Sequence, residues 1–316
     1  MVRAFWIKIL LFILTVVLSF LGLVALKYSY SDRLSPKTSG IGGLFREKEV
    51  DYVFIGSSHT RESYDIELFE KETGKSAYLL CYNGLSPFLM APLLRFIVEK
   101  KPLIKTYVLE VRVHGMVRPP SLEDTRLFFE SPVALKHQLL RLFREDVPGF
   151  NWQNCYELLV VSNNERILTF PVSNYFISRS SYKGGYVNRE IRALLPEEFN
   201  ELKNPMPDLR GIQVDPKQQA SLQAIFQLIH EKKLDVVFVE SPLPKPIEED
   251  LGTKLNKQYI AGLIRNEGIQ YLDGAENFDT GNHLYFIDNN HLSLAGRKLF
   301  TEQVAAFLAK QKYCTE

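Results

Sequence analysis

The chain is poor in the residues that build metal and redox centres. Three cysteines, Cys81, Cys155 and Cys314, occur in 316 residues. Their spacing holds no zinc ion or cluster, and an odd number leaves at least one thiol unpaired. Cys81 lies in an apolar run and reads as a buried small hydrophobe rather than a reactive thiol. The six histidines are scattered, with no His-Glu-x-x-His pair. A phosphate-cradling Walker loop and a dinucleotide glycine fingerprint are both missing, so neither a metal nor a nucleotide cofactor is expected. Charge is also lacking: the formal net charge is +1 and no basic stripe stands out, which excludes nucleic acid as an expected partner. A hydrophobic fraction of 46% with 24% charged residues is ordinary for a globular chain and argues against disorder.

What the N-terminus lacks is charge over a long stretch. From Ile9 to Leu26 no charged residue interrupts the apolar run, and residues 4–7 extend it past Lys8. At about 1.5 Å per residue such a helix crosses the hydrocarbon core of a bilayer, with Lys8 reaching to the interface. A lipid bilayer is therefore an expected partner through residues 4–26. Arg3, Lys8 and the α-amino group favour a cytoplasmic N-terminus, whereas Lys27, Arg33 and Lys37 beyond the run oppose it. Ala25 leaves a cleaved signal peptide as the alternative. The run is long for a signal h-region and has no clean Ala-x-Ala site, which favours a retained anchor over residues 1–26. Residues 27–50 are polar and carry the breakers Ser35-Pro36 and Ser39-Gly40, as a stalk leading to a domain over 51–316 would.

That domain opens on the stretch Val53-Phe54-Ile55-Gly56-Ser57-Ser58-His59. It reads as a fully buried strand that ends at a tight turn, with Gly56 allowing the turn and Ser57 small enough to let a substrate approach. Ligands of open α/β sheets bind outside the carboxyl ends of strands, so the Ser58 hydroxyl would stand where chemistry is done. The plainer alternative is a turn with a helix N-cap. Near the other end stands Asp288-Asn289-Asn290-His291-Leu292-Ser293, just before a helical segment. An Asp and a His three apart on one turn can face one cleft, the carboxylate holding Nδ1–H while Nε2 addresses a serine. His59, directly after Ser58, is expected to point away from that partnership.

An early Gly-Ser-Ser after a strand and a late Asp-x-x-His before a helix together resemble the SGNH hydrolase superfamily, also called GDSL-type esterases and acyltransferases. The resemblance covers roughly residues 52–86 and 215–308. It implies Ser58 as nucleophile, His291 as base and Asp288 as the acid that orients it. Ser57 stands where the family has Asp, a departure similar to membrane-anchored members of the cell envelope. The family's second block supplies an oxyanion-hole glycine, and Gly84 matches it, with Asn83 beside it and the Ser58 N–H completing the set; Asn83-Gly84 read alone is a turn. The third block departs further. Where the family has Gly-x-Asn-Asp, this chain has Glu110-Val111-Arg112, leaving the asparagine donor unfilled and an ion pair, with each other or with substrate, as the local reading.

Between the motifs strands and helices alternate. Strands are expected at 52–55, 76–82, 104–113, 234–240 and 269–272, with helices at 64–72, 88–101, from Asp215-Pro216 to about 233, at 248–266 and after Ser293. Residues 116–211 break the alternation and read as a mainly helical insertion at the carboxyl-end face, with helices at 133–144 and 156–168. Within it, 181–186 combines tyrosines, a lysine and glycines, either a carbohydrate-stacking loop or an ordinary surface loop. The proline-rich 241–246 should line the cleft rim. The fold expected is α/β, a flavodoxin-like three-layer sandwich around a parallel sheet of about five strands. The resemblance implies a serine esterase or O-acyltransferase held in a bacterial cytoplasmic membrane by one span. Its domain would lie outside the cytoplasm and act on acylated envelope polysaccharide or another ester, in some relatives beside a membrane-bound O-acyltransferase. The alternative is a non-catalytic binding or assembly module of the same machinery.

Overall fold

The computed structural model describes residues 2–34, 40–100, 103–147, 149, 151, 153–154, 191–203 and 214–312. Five strands form one parallel sheet: β1 (Val50–Gly56), β2 (Ala77–Cys81), β3 (Ile104–Leu109), β4 (Asp235–Glu240) and β5 (Gln270–Asp273). Their spatial order is β2-β1-β3-β4-β5, the flavodoxin-like order. The strands are apolar on both faces because both faces are covered. Val53 and Ile55 of β1 point to one core with Tyr78, Leu80, Leu109 and Phe238; Tyr52 and Phe54 point to the other with Leu79, Val108 and Val237. On the first face pack α5 (Pro87–Lys100) and α10 (Pro216–Lys232), and on the second α4 (Ile66–Thr73) and α13 (Leu294–Lys312).

Local chemistry sets the helix ends. Asp215 caps α10 by accepting from the N–H groups of Lys217 and Gln218, with Pro216 at the first helical position. Ser293 Oγ accepts from Gly296 N at the start of α13. The helix expected over 248–266 is divided into α11 (Lys245–Glu248) and α12 (Leu251–Asn266), since Asp250 starts a new helix as its cap. The turn after β1 is itself helical, as α3 (Ser58–Ser63), with Ser57 as N-cap. In the region of 116–211 the described residues include α7 (Arg126–Phe129), α8 (Val133–Asp146) and α9 (Pro196–Asn200), following α6 (Val113–Val117). The expected helix at 156–168 and the loop at 181–186 lie outside the described residues.

At the N-terminus, α1 (Val2–Leu34) contains a segment, Ala4–Leu26, long and apolar enough to cross a membrane, and none of it is buried in the protein. The stretch expected as a stalk is more ordered than its polar composition indicated. α1 runs on past Leu26, and the Tyr28 ring packs against Phe128 and His137. Lys136, fully buried, donates from Nζ to the Tyr28 carbonyl at 2.8 Å. The short α2 (Gly40–Leu44) buries Ile41 and Leu44 in the first core, where Tyr82 Oη accepts from Ile41 N and Tyr78 Oη donates to Gly40 O. Sequence polarity missed this because the anchoring groups are the hydroxyls of Tyr78 on β2 and Tyr82 just after it, and a lysine of α8.

Gly56 ends β1 with an ordinary negative φ, so it is not needed for an unusual turn. A Cβ there would lie 1.9 Å from Thr60 Oγ1, and that close approach is the reason for glycine. Gly56→Ala is therefore expected to destabilise the fold by about 1–3 kcal/mol through overpacking. A urea titration checks this, and an unchanged midpoint would refute it.

Candidate active site

The chain leaves β1 for β2 on one side and later returns to β3 on the other, so a crevice opens beyond the carboxyl ends of β1 and β3. Ser58 stands there, one residue into α3. Its Oγ lies 3.0 Å from His291 Nε2, although 233 residues separate the two in sequence. His291 Nδ1 lies 2.8 Å from Asp288 Oδ2 and 3.1 Å from Oδ1. A carboxylate only accepts, so Nδ1 carries the proton and Nε2 presents its lone pair to the serine. Asp288 is itself fixed, since its Oδ1 accepts from the backbone N–H of Asn290 (2.7 Å) and of His291 (2.8 Å). Burial pushes this carboxyl up, but the His291 ring and those two N–H groups outweigh it and hold Asp288 below the usual carboxylate range.

The two motifs meet because their elements are clamped together. Arg297 of α13 donates from Nη2 to Glu62 Oε2 at 2.5 Å and from Nε to the Glu62 carbonyl at 3.0 Å. Both side chains are nearly inaccessible to water. Beside them Asp65 N donates to Thr301 Oγ1 at 2.9 Å. The helix that carries the serine and the helix behind the Asp-x-x-His segment thus share one buried ion pair. Neither Glu62 nor Arg297 has a sequence signal of its own, which is why sequence reasoning passed over them.

His59 differs from its expectation. It does not turn away: its ring stacks on that of His291, with centroids 5.0 Å apart and planes 26° apart. Its Nδ1 lies 2.9 Å from the Asn290 carbonyl, which fixes the proton on that nitrogen and leaves Nε2 as the acceptor. Burial, then the neighbouring Arg112 and His291 charges, push the His59 pKa well down, and the ring is neutral at neutral pH.

The cavity beside Ser58 has a volume of about 140 Å³ and includes Gly84, Ser86, Arg112 and, from the insertion, Arg118 and Glu123. Gly84 has φ +62°, a conformation that favours glycine, and a Cβ there would make the Glu123 side chain shift. Asn83 is not part of the wall. Its Oδ1 accepts from Arg61 Nη1 and its N–H donates to Asp124, so it serves the loop. Glu110 and Arg112 do form an ion pair, at 3.2 Å. Glu110 is buried and also accepts from Thr60 Oγ1 at 2.6 Å and from Ser241 N and Oγ at 3.1 and 2.9 Å. Arg112 donates from Nη2 to the Ser241 carbonyl, which holds its head at the cavity wall. Among the described residues there is no cluster of His, Cys, Asp and Glu that could hold a metal ion. The buried Cys81 thiol has its pKa pushed up by burial.

No protein-family model and no curated protein matches the sequence. Among solved structures, one described as "a putative platelet activating factor from Streptococcus pneumonia" is similar over 95% of this chain and 98% of its own, at 13% identity and a TM-score of 0.43.

Two outcomes are expected. Arg297→Leu removes the buried guanidinium from Glu62, which keeps Arg61 at 3.2 Å, and is expected to cost up to about 3–5 kcal/mol; a denaturant midpoint within error of wild type would refute the clamp. For His59 the folded pKa is depressed below its unfolded value of about 6.5. The unfolded chain therefore binds the extra proton first, and stability falls as pH drops below about 6.5 toward the depressed folded value. His59→Asn removes that part of the slope in melting curves taken from pH 7 downward; an unchanged slope would contradict it.

Proposed function

We propose that this chain is a membrane-anchored serine esterase or O-acyltransferase of SGNH type, with its domain outside the cytoplasm. One observation carries the reading: the unbroken hydrogen-bonded chain Ser58–His291–Asp288 at the carboxyl ends of a parallel sheet. Ser58 Oγ attacks the ester carbonyl as His291 Nε2 takes its proton, forming a tetrahedral oxyanion. The N–H groups of Ser58 and Gly84 receive that oxygen, each worth roughly 3 kcal/mol of transition-state stabilisation. Asn83, tied to Arg61 and Asp124, is left out of this hole. As the intermediate collapses, the C–O bond breaks and His291 returns the proton to the departing alcohol oxygen, leaving an acyl-Ser58 ester. An acceptor O–H, from water or from a sugar, then gives its proton to His291 and takes the acyl group by the same steps in reverse.

The 140 Å³ cavity is well below the roughly 300–1,000 Å³ of drug-sized sites, which favours a short acyl group. The apolar α1 segment supports a bilayer anchor, and an acylated envelope polysaccharide beside a membrane-bound O-acyltransferase remains the substrate and partner we assign by resemblance. The third-block asparagine is replaced by the Glu110–Arg112 pair, and this favours a second reading, a binding module that keeps the fold without turnover.

Hydrolysis of p-nitrophenyl acetate separates the two. The first reading expects release by wild type, none from Ser58→Ala or His291→Ala, and a loss of about 10⁴-fold in kcat for Asp288→Asn, which removes the tautomer control. Equal background release from wild type and Ser58→Ala would favour the module.

A further inference from the structure

A second cavity, of about 280 Å³, adjoins the one beside Ser58, and the residues the two share all carry ring or guanidinium nitrogens. They are His59, Arg112, His114 and Arg118. Ser58 and Gly84 line only the first cavity, whereas Asn289 and Asn290 of the Asp-x-x-His turn line only the second.

The acids that accompany the two arginines lie on one side of this wall. Glu110 pairs with Arg112 at 3.2 Å and Glu123 with Arg118 at 3.6 Å, and both carboxylates line the first cavity but not the second. In the second, Arg112, Arg118 and Lys257 stand against a single carboxylate, Glu240. Lys257 is matched elsewhere, by Glu248 at 2.8 Å and Asp273 at 2.9 Å. Glu240 accepts from the Tyr271 hydroxyl, and burial raises its pKa against the pull of Lys257 and Arg112. The positive excess in the second cavity is therefore carried by the two guanidinium groups.

Neither guanidinium is fully used. Arg112 commits Nε to Glu110 and Nη2 to the Ser241 carbonyl, while Nη1 bonds to none of the described residues. Its side chain is only 12% exposed, so Nη1 is presented from a fixed position. Arg118 is half-exposed, and at 3.6 Å its contact with Glu123 is too long for a hydrogen bond. Both charges reach His114: burial, then Arg118 and Arg112 against an opposing Glu123, push its pKa down. Uncommitted guanidinium N–H groups are best matched by a carboxylate or a phosphate.

We infer that the second cavity holds an anionic group, a carboxylate or a phosphate, carried on the alcohol side of the ester. Arg112 Nη1 and the Arg118 guanidinium donate to it from the shared wall. The acyl side faces Glu110 and Glu123 and stays uncharged. This division follows the triad: Ser58 and Gly84, which receive the oxyanion, line the first cavity, while the departing alcohol takes its proton from His291, whose turn lines the second. The inference rests on the reading of Ser58 as the nucleophile and adds the charge of the alcohol it releases or accepts.

The test is saturation-transfer NMR on the full Ser58→Ala chain in detergent, which binds esters without turning them over. The probes are 4-acetoxybenzoate beside its uncharged methyl ester, and 4-acetoxyphenyl phosphate beside phenyl acetate. An anion is expected to bind about ten-fold more tightly than its neutral counterpart, the effect of one hydrogen bond to a charged group, and to weaken as salt rises. Arg118→Gln should remove most of that preference and Arg118→Lys keep part of it, with circular dichroism melts confirming that both variants fold. A preference confined to one of the two anions would identify the group and uphold the site. Equal binding of anions and neutral counterparts, or a preference that survives Arg118→Gln unchanged, would overturn the inference. Arginine-dependent anion binding in a protein whose wild-type Ser58 takes no fluorophosphonate would uphold the cavity and overturn the ester chemistry instead.

Discussion

The buried Glu62–Arg297 pair is the constraint on which the site depends. Ser58 and His291 are brought to 3.0 Å from opposite ends of the chain, and two of the contacts that hold them so stand out. One is the sheet, which fixes where β1 ends. The other is the junction between α3 and α13, where a guanidinium and a carboxylate meet away from water. An isolated charge at such a place would be strongly unfavourable, and the pair offsets that cost, with Arg61 also 3.2 Å from Glu62. The Ser58–His291 distance therefore depends on how these two helices are joined.

Polar groups around the crevice are fixed by a few shared acceptors. Glu110 gathers Thr60, Ser241 and Arg112, tying the ends of β1, β3 and β4 into one network. Gly56 permits this by letting Thr60 approach so closely. Asp288 gathers the Asn290 and His291 N–H groups and the imidazole, so that the tautomer of His291 follows from the geometry of one turn. His59 is set by the same turn through the Asn290 carbonyl. The two imidazoles are therefore both positioned by one turn, and they stack on each other.

The five strands were legible in the sequence because buried parallel strands are continuous apolar runs with sharp ends, such as Val53-Phe54-Ile55 and Val236-Val237-Phe238-Val239. Ser58, Asp288 and His291 were legible as a pattern of residue types at a turn and before a helix. The direction of the His59 ring was not, because it is set by a carbonyl 231 residues away. The packing of α2 and the end of α1 onto the domain escaped for a similar reason: their partners, Tyr78, Tyr82 and Lys136, are distant in sequence.

The central claim is that Ser58 is an activated nucleophile, and covalent labelling tests it most directly. The full chain in detergent would be treated with a fluorophosphonate and the modified peptide located by mass spectrometry. A single adduct on Ser58, absent from the His291→Ala variant, is the result the account predicts. A folded protein that forms no adduct at Ser58, or forms one independently of His291, would contradict it.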